Sequence, residues 1–242
     1  MRIDGAAALV TGGGRGLGAA LGRALAREGA RVVLVARGAM ELEVVAGQIR
    51  AAGGEAHALA GDVGDPRAAA ALSGAAAALV GPLDLLVHGA STLGPVPLRL
   101  LLDTEAAEFD RALGVNLVGP FRLTRAVAGA MVLRGRGLVL HVTSDASIAA
   151  YPRWGAYGVS KAGFDHLARI WAAELEGTGV RFLSVDPGEM DTRMHAEAVP
   201  DADPATLEDP AAVAERIVGL IRRAETLANG VRVEASAMEV AR

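Results

Sequence analysis

The chain alternates short apolar runs with longer segments in which apolar and polar positions are mixed. Seven of the short runs are rich in leucine and β-branched residues and show little alternation of apolar with polar positions. Strands of that kind are expected in a parallel sheet that is covered on both faces. The predicted strands span residues 7–11, 31–36, 56–60, 83–88, 137–144, 180–185 and 230–234.

The segments between these runs are long enough for helices, and two of them carry start signals. Asp65-Pro66 and Asp209-Pro210 each place a carboxylate at the N-cap and a proline at the first helical position. Four apolar residues after the second pair share one helical face: Val213, Ile217, Leu220 and Ile221. The alternation predicts an α/β fold in a single domain of residues 1–242, with a doubly wound parallel seven-stranded sheet and helices on both faces.

Residues 190–209 interrupt this alternation. The stretch contains Pro200, Pro204 and several acidic residues, and it has the character of an irregular insertion. An irregular segment of this length within a compact domain is typical of a binding loop or an active-site lid. We therefore expect a substrate lid at residues 190–209 rather than a linker between domains.

Composition and charge narrow the class of protein. The 242 residues are 52% hydrophobic, and the formal net charge of -4 gives no basic surface for nucleic acid or an anionic membrane. The chain has no cysteine, which excludes disulfides and thiolate metal sites, and we expect no metal. No apolar run reaches the roughly 20 residues of a membrane span, and the chain start lacks the features of an export signal. We expect a soluble, cytoplasmic protein.

A glycine-rich segment, TGGGRGLG at residues 11–18, follows the first predicted strand and precedes a helical run. A turn with so few side chains lets backbone N–H groups and a helix N-terminus approach a pyrophosphate closely. The alternative, a glycine-rich turn without a ligand, is weakened by the strand before the segment and the helix after it. The candidate dinucleotide contacts here are Thr11, Gly12, Arg15, Gly16, Leu17 and Gly18.

The end of the second predicted strand bears on which dinucleotide is bound. A carboxylate there would select NAD by bonding the ribose 2′-hydroxyl, but the chain has Ala36 and Arg37. Arg37, together with Arg15, offers planar charge-assisted donors to a 2′-phosphate, so we expect NADP(H) to be preferred, with NAD(H) possible. The alternative is that Arg37 is simply a solvated arginine. Asp62, after the third strand, either accepts a hydrogen bond from the adenine amino group or begins a turn.

Tyr157 and Lys161, in the segment YGVSK, are candidates for proton transfer. They open a predicted amphipathic helix, where a spacing of four places the phenol and the ammonium on one face. A positive charge about 4 Å from a phenol would lower its pKa from about 10 toward neutral, where a general acid or base works best. Taken alone, such a pair is more typical of a core aromatic beside a surface charge.

Further motifs accompany this pair in a recognisable order. Along the chain come TGGGRGLG, Asp62-Val63, VNLVGPF with Asn116, Ser144, YGVSK and PGEMDT. In this order and spacing the chain resembles the short-chain dehydrogenase/reductase family over nearly its whole length. The resemblance implies a Rossmann fold and hydride transfer with a nicotinamide cofactor.

The resemblance also implies roles for four candidate catalytic residues. Tyr157 would donate or accept the substrate proton, Lys161 would lower the pKa of Tyr157 and hold the nicotinamide ribose, and Ser144 would hydrogen-bond the substrate oxygen. Asn116 would help to retain a water that relays protons to Lys161. Considered singly, Ser144 would more simply cap a turn, and Asn116 would be a helix-breaking polar residue. The implied cofactor contacts outside the glycine-rich loop are Val63, Ala90, Pro187, Gly188 and Thr192, of which Thr192 and the backbone near Gly188 would hold the nicotinamide carboxamide.

Two segments depart from the family pattern. The family commonly has Asn-Asn-Ala-Gly after the fourth strand, whereas this chain has His-Gly-Ala-Ser at residues 88–91. His88 is either a buried, hydrogen-bonded core residue or a titratable group that modulates cofactor binding. The Asp-Gly-Gly that the family usually has near the C-terminus is replaced at residues 231–236, which bears on the subunit interface and the far wall of the pocket. The resemblance implies a homodimer or homotetramer built through the long helices, including the one that carries Tyr157.

The residues expected to face a substrate follow the fifth strand or lie in the predicted lid. They are Ile148, Tyr151, Trp154, Met190, Met194 and His195. Most of these side chains are apolar, so we expect a small or medium-sized hydrophobic carbonyl compound or the matching alcohol. Equally, they could pack the lid against the domain.

Three functions follow from these patterns. The leading one is an NADP(H)-dependent oxidoreductase that interconverts a carbonyl compound and its alcohol, with a tyrosine as the general acid or base. The second is an NAD-dependent alcohol dehydrogenase, and the third is a non-catalytic cofactor-binding regulator. The complete set of Asn116, Ser144, Tyr157 and Lys161 argues against the regulator, because a binding protein has no need of the tyrosine hydroxyl.

Overall fold

The computed structural model describes residues 1–237 and contains one parallel sheet of seven strands. The strands are β1 (Ala7–Thr11), β2 (Arg31–Ala36), β3 (Glu55–Ala60), β4 (Leu85–His88), β5 (Gly137–Val142), β6 (Val180–Asp186) and β7 (Arg232–Glu234). Their order across the sheet is β3-β2-β1-β4-β5-β6-β7. The predicted α/β fold is confirmed, and the end of the predicted domain, residues 238–242, lies outside the described residues.

The predicted strands occur with ends that differ from the structure by no more than two residues. The difference that matters most is at β5, which ends at Val142 and not at residue 144. Ser144 therefore lies beyond the strand and begins a turn of 3-10 helix at Asp145–Ser147.

Helices cover both faces of the sheet. One face packs against α1 (Gly16–Arg27), α2 (Ala39–Ala51) and α8 (Pro210–Arg222). The other packs against α3 (Ala68–Val80), α5 (Gly119–Arg134) and α6 (Gly155–Glu174). Two further helices are α4 (Ala106–Leu113), which a π-helical turn at Gly114–Val118 joins to α5, and α7 (Arg193–Ala198). Both layers of the predicted sandwich are present.

The two predicted helix starts differ in outcome. Asp209 accepts a hydrogen bond from the N–H of Ala211 at 2.9 Å and caps α8, as predicted. The prediction at Asp65-Pro66 is wrong, because the Asp65 carboxylate accepts a bond from the N–H of Arg67 and closes a turn there. Helix α3 then begins only at Ala68. The four apolar residues predicted to share a face of α8 are all fully buried: Val213, Ile217, Leu220 and Ile221.

The strand order places a crevice between β1 and β4. The chain runs outward from β1 to β2 and β3 and then returns to β4 on the other side of β1. Loops at the carboxyl ends of the two strands diverge at such a reversal, and open α/β sheets bind ligands there. The glycine-rich loop follows β1 and the His-Gly-Ala-Ser segment begins at the end of β4, so both border this crevice.

The side chains of residues 1–237 also bear on two other classes of function. No helix in this range has both the length and the apolar character to cross a membrane. No group of three or more His, Cys, Asp or Glu side chains in the same range could hold a metal ion.

Candidate active-site cleft

A cleft of about 1140 Å³ lies at the carboxyl ends of the strands. Its walls come from the loops after β1, β2, β3, β4, β5 and β6 and from the segment that contains α7. Small-molecule pockets usually measure about 300–1,000 Å³. The cleft is therefore large enough for a dinucleotide together with a small substrate.

The glycine-rich loop packs so tightly that two of its positions exclude a side chain. Gly12 has a φ of +75°, and a Cβ there would lie 2.7 Å from the carbonyl oxygen of Gly89. A Cβ on Gly18 would lie 2.2 Å from the carbonyl oxygen of Gly12. Helix α1 begins at Gly16 with no acidic residue in its first turn and no side-chain hydrogen bond at its N-cap. The loop thus fits the diphosphate of a dinucleotide, because it presents uncapped N–H groups at a positive helix end.

Thr11 has a different place from the one predicted. Its side chain is buried and does not line the cleft. The hydroxyl oxygen accepts bonds from the N–H groups of Gly89 and Ala90, each at 3.2 Å, and the hydroxyl donates to the carbonyl of Val87 at 3.3 Å. Thr11 therefore holds the loop after β4 against the loop after β1, which fixes the width of the crevice.

Arg15, Ala36 and Arg37 line one end of the cleft. Both arginines are exposed, and among the described residues neither side chain has a hydrogen bond or an ion pair. Glu41 on α2 also lines this end, and its carboxylate lies near Gly14 and Gly38. Sequence reasoning missed Glu41, because no pattern links a helix residue to the end of the preceding strand.

Asp62 and Val63 also border this end of the cleft. The Asp62 carboxylate accepts a hydrogen bond from the N–H of Gly64 at 2.8 Å, which closes a turn. Of the two predicted alternatives, the turn is therefore present. The position of Asp62 in the cleft wall also leaves an adenine contact open.

Tyr157 and Lys161 lie together in the middle of the cleft wall. Both are buried, with 8% and 4% of their surface exposed, on the first turns of α6. Lys161 Nζ lies 5.6 Å from the centre of the Tyr157 ring and donates a 2.7 Å hydrogen bond to the carbonyl of Val142. The helical spacing of four brings the two side chains to one face, as predicted.

The pKa of Tyr157 differs from the prediction made from the sequence. Burial raises the pKa of Tyr157 to about 12, although the Ser144 hydroxyl beside it acts in the opposite direction. Burial also lowers the pKa of Lys161 to about 8. The predicted lowering of the Tyr157 pKa by Lys161 is therefore wrong: burial disfavours the phenolate, and the group that acts against burial is the Ser144 hydroxyl and not the lysine.

Ser144 lines the cleft and is hydrogen-bonded to its own turn. Its Oγ accepts from the N–H of Ala146 at 3.2 Å and donates to Asp145 Oδ1 at 2.9 Å. Tyr151 donates to the other oxygen of Asp145 at 2.7 Å. Partial burial opposes ionisation of Asp145, but the bonds from Tyr151 and Ser144 outweigh it and lower its pKa. A carboxylate that the sequence prediction did not include therefore stands beside the candidate hydroxyl donor.

Asn116 lies in the π-helical turn and is buried behind the cleft wall. Its Nδ2 donates to the carbonyl of Thr92 at 2.8 Å and to Ser160 Oγ at 2.9 Å. Its Oδ1 accepts from the N–H of Thr92 at 2.8 Å and from Ser91 Oγ at 3.2 Å. All four hydrogen-bonding positions of the side chain are occupied, so it anchors the loop after β4 to α6 and has no free position for a water.

His88 is a buried core residue, which was one of the two predicted alternatives. Its Nε2 is hydrogen-bonded to Thr124 Oγ1 at 2.9 Å, and its ring packs edge-on against Phe164 at 5.3 Å. Burial lowers the pKa of His88 well below its ordinary value. The ring is therefore neutral and does not line the cleft, whereas Gly89 and Ala90, which follow it, do.

Residues 190–209 are more ordered than the predicted irregular insertion. They contain α7 and a 3-10 turn at Pro204–Thr206. Backbone bonds close the base of the segment, from Asp191 N–H to the Glu208 carbonyl at 2.9 Å and from Glu208 N–H to the Glu189 carbonyl at 3.1 Å. Thr192 lines the cleft and caps α7 by accepting from the N–H of His195. The segment is a helix-bearing loop anchored at both ends.

Most of the residues predicted to face a substrate do line the cleft. They are Tyr151, Trp154, Met190, Met194 and His195. Met194 and Trp154 pack against a small buried cluster that contains Tyr157. The prediction for Ile148 is wrong: it is 71% exposed and lies outside the cleft, because it follows the 3-10 turn that leads the chain away from Ser144.

Sequence reasoning also missed a group of charges at the floor of the cleft, which Asp186 lines. Arg232 on β7 is paired with Asp186 at the end of β6, and Asp165 on α6 lies next to them. The signals in the sequence were a charged residue at the end of an apolar strand and an arginine inside the segment that replaces the family's Asp-Gly-Gly. Neither signal shows that the side chains meet. Pro187 and Gly188, which follow Asp186 directly, line the cleft.

Comparison with known proteins gives a consistent result. The family model described as short chain dehydrogenase matches residues 6–203. A D-threitol dehydrogenase from Mycolicibacterium smegmatis is 35% identical over 186 residues, which cover 77% of this chain and 70% of that protein.

Two solved structures share the fold and differ in their bound cofactor. A metagenomic short-chain oxidoreductase in complex with NADP has a TM-score of 0.82 and 33% identity, over 97% of this chain and 98% of that one. A 7α-hydroxysteroid dehydrogenase complexed with NADH and 7-oxo glycochenodeoxycholic acid has a TM-score of 0.88 and 28% identity, over 96% of this chain and 93% of that one.

Proposed function

This chain belongs to the short-chain dehydrogenase/reductase family, and we propose that it is an NADP(H)-dependent oxidoreductase that interconverts a carbonyl compound and its alcohol. One observation carries the proposal. Tyr157 and Lys161 are buried side by side in the wall of a cleft that also contains Ser144 and a glycine-rich loop at a helix N-terminus. Burying a lysine and a phenol costs free energy, which favours a functional role over a structural one.

The residues of the cleft fit a nicotinamide dinucleotide. The diphosphate would lie against the glycine-rich loop and the first turn of α1, where the N–H groups are uncapped. Lys161 has donors beyond its bond to Val142 for the nicotinamide ribose. Thr192 and the backbone at Gly188 would hold the carboxamide. NADPH, when bound, supplies the hydride to the carbonyl carbon.

Tyr157 supplies the proton in this account. Its pKa of about 12 means that the phenol carries its proton at neutral pH, as a donor in the reductive direction requires. Its O–H bond breaks as the substrate oxygen gains the proton, and the ammonium of Lys161 stabilises the phenolate that remains. Ser144 would turn its hydroxyl from Asp145 to the substrate oxygen and stabilise the charge that develops there.

The preference for NADP(H) rests on Arg15 and Arg37. Both guanidinium groups are exposed at the end of the cleft where the adenosine ribose would lie, and β2 ends without a carboxylate. Glu41 supports the alternative, an NAD-dependent alcohol dehydrogenase, because its carboxylate lines the same end and would repel a 2′-phosphate. Two arginines against one carboxylate favour NADP(H).

The substrate would bind between the 3-10 turn after Ser144 and residues 190–209, which we propose act as a lid. Trp154 and Met194 make this part of the cleft apolar. Asp145 adds an ionised acceptor close to the reacting oxygen. A neutral carbonyl compound fits these walls better than an anionic one.

Exposed apolar side chains on the long helices support a homodimer or homotetramer. Val159 and Ile170 on α6 are 49% and 40% exposed, and Leu133 on α5 is 91% exposed. Apolar groups of this kind favour an interface between copies of the chain. Light scattering of the purified protein would give the oligomeric state directly.

The cofactor assignment is tested by titrating the purified protein with NADPH and with NADH at one salt concentration, following nicotinamide fluorescence. We expect tighter binding of NADPH, followed by NADPH oxidation with members of a panel of neutral carbonyl compounds. Tighter binding of NADH would favour the dehydrogenase alternative. Binding without turnover of any carbonyl or alcohol would favour a cofactor-binding regulator.

A further inference from the structure

A group of charged side chains lies at the floor of the candidate active site, where Asp186 lines the cleft. The side chain of Arg232 is 16% exposed, that of Asp186 is 8% exposed and that of Asp165 is 7% exposed. Arg232 Nη2 donates to Asp186 Oδ2 at 2.6 Å, and Arg232 Nε lies 3.7 Å from Asp165 Oδ2. Removing one member of such a group leaves a buried charge without a partner. This destabilises the folded protein, because burying an unpaired ion is costly.

The same guanidinium reaches both sides of the site. Arg232 Nη2 also donates to the backbone carbonyl of Ser144 at 3.2 Å. The second oxygen of Asp186 accepts from the N–H of Gly188 at 3.0 Å. Arg232 therefore connects the backbone of the candidate hydroxyl donor to the turn at 187–188 that borders the cleft.

The electrostatic balance around Lys161 depends on this group. Asp165 and Asp186 both favour the charged form of Lys161, and burial opposes it. Arg232 is the cation that pairs with both buried carboxylates, and its Nη1 also lies 3.6 Å from the exposed Glu234. Two carboxylates and two cations thus share this region, and loss of any one leaves a net charge beside Tyr157.

The other titratable groups packed around Lys161 do not change this balance at neutral pH. Burial lowers the pKa of His141 on β5 to about 3 and that of His88 on β4 well below its ordinary value, so both rings are neutral. Tyr157 keeps its proton. Asp145 and Glu234 are both exposed at the rim, where water screens their interaction with Lys161.

We propose that Arg232 is a positioning residue for the reaction: it holds Ser144 and the 187–188 turn in one frame and offsets the charge of Asp165 and Asp186, the two buried carboxylates with which it pairs. The proposal rests on the proposed function only in giving Lys161 a part in catalysis. Its structural content stands independently of any substrate.

The composition of the chain makes the charge balance measurable, because Lys161 is its single lysine. Protein made with isotope-labelled lysine gives one side-chain NMR signal. Its titration in the absence of substrate and cofactor reports the pKa of Lys161 alone. We would compare the wild type with Arg232→Met, Asp186→Asn and the double variant, with Arg181→Met as the control.

Arg232→Met leaves both carboxylates facing Lys161, so we expect the Lys161 midpoint to rise by about one pH unit, as for a unit charge roughly 10 Å away at an effective dielectric of 20. Asp186→Asn should lower the midpoint by a similar amount. The double variant should return it to the wild-type value. Arg181→Met should leave it unchanged, because that guanidinium donates to the carbonyls of Ala224 and Leu227, away from this group.

Arg232→Gln separates positioning from charge. It removes the charge but keeps a donor for Ser144 and Asp186, so we expect the midpoint to rise as in Arg232→Met while kcat is higher than in that variant. If Arg232→Met does not fold, the Lys161 midpoint in Asp186→Asn still tests the proposal. An unchanged Lys161 midpoint in Asp186→Asn, with only a lower Tm, would overturn the proposal even in an enzyme that turns over. Absence of turnover with a shifted midpoint would instead count against the proposed function alone.

Discussion

Lys161 donates a 2.7 Å hydrogen bond to the backbone carbonyl of Val142, the last residue of β5, and is almost completely buried there. The position of the ammonium is therefore set by the end of a strand and not by the phenol of Tyr157. Because burial lowers the pKa of Lys161 to about 8, the folded protein loses this proton at a lower pH than the unfolded chain does.

This difference predicts a rise in stability with pH. Between about pH 8 and the ordinary lysine value the unfolded chain binds more protons than the folded one, so the free energy of unfolding increases through that window. Relative to Lys161→Met, the wild type should gain about 2 kcal/mol between pH 8 and roughly pH 9.5. Urea unfolding of both proteins across the window measures the gain. Parallel curves would contradict the buried-ammonium assignment.

The burial of His88 should make the protein less stable at acidic pH. Its pKa is lowered by burial, so the unfolded chain takes up a proton first as the pH falls below about 6.5, and stability falls with it. Each buried histidine lowers the free energy of unfolding by up to about 1.4 kcal/mol for each pH unit of acidification. His141, whose pKa is also lowered by burial, has the same effect. His88→Asn should remove about half of this slope.

The control for His88 is the exposed His166. Replacing His166 with Asn should leave the slope of unfolding free energy between about pH 4.5 and pH 6.5 unchanged, since the side chain of His166 is exposed to water on α6. If His88→Asn unfolds with the wild-type slope, His88 is not neutral in the folded protein.

Gly18 predicts a steric effect on the glycine-rich loop. A Cβ there would lie 2.2 Å from the backbone oxygen of Gly12, which cannot move without opening the loop. Gly18→Ala should therefore lower the free energy of unfolding by about 3 kcal/mol and weaken cofactor binding. At Gly14 the nearest atoms are at 3.5 and 3.6 Å, so Gly14→Ala should cost little. Equal stability of the two variants in urea would refute the tight packing.

Arg37 should contribute to the preference for NADPH over NADH. Removing one charge-assisted donor to a 2′-phosphate should weaken NADPH binding about tenfold to a hundredfold in Arg37→Ala, with little effect on NADH. Arg67→Ala, which alters a 91% exposed side chain outside the cleft, is the matched control. Fluorescence titrations at two salt concentrations measure both cofactors. Equal losses for NADPH and NADH would mean that Arg37 does not meet the 2′-phosphate.

The fold followed closely from the sequence because its signals are local. Buried parallel strands are continuous apolar runs, and a helix start such as Asp209-Pro210 has its partner within two residues. Asp65-Pro66 shows the limit of such signals, since the same carboxylate can close a turn instead of capping a helix. Some strands also end at other residues than predicted: β5 ends at Val142, so Ser144 lies in the turn that follows and not in the strand.

The site was predictable where a motif carried it and not where distant segments meet. Tyr157 and Lys161 are fixed by one helix, so their spacing sufficed. The bonds of Arg232 to Ser144 and Asp186 join residues far apart in sequence, and no pattern predicts them. The sign of the Tyr157 pKa shift also depended on burial, which a helical spacing does not give.

Tyr157 donates the proton in the proposed reaction, and the substitution Tyr157→Phe removes that donor while keeping the aromatic ring. The variant removes one hydroxyl from a buried ring and should leave NADPH affinity within about twofold of the wild type. We expect its kcat to fall by about a thousandfold or more for the carbonyl compound that the wild type reduces fastest, the size of a lost general acid. Retained NADPH binding with turnover close to that of the wild type would contradict the account.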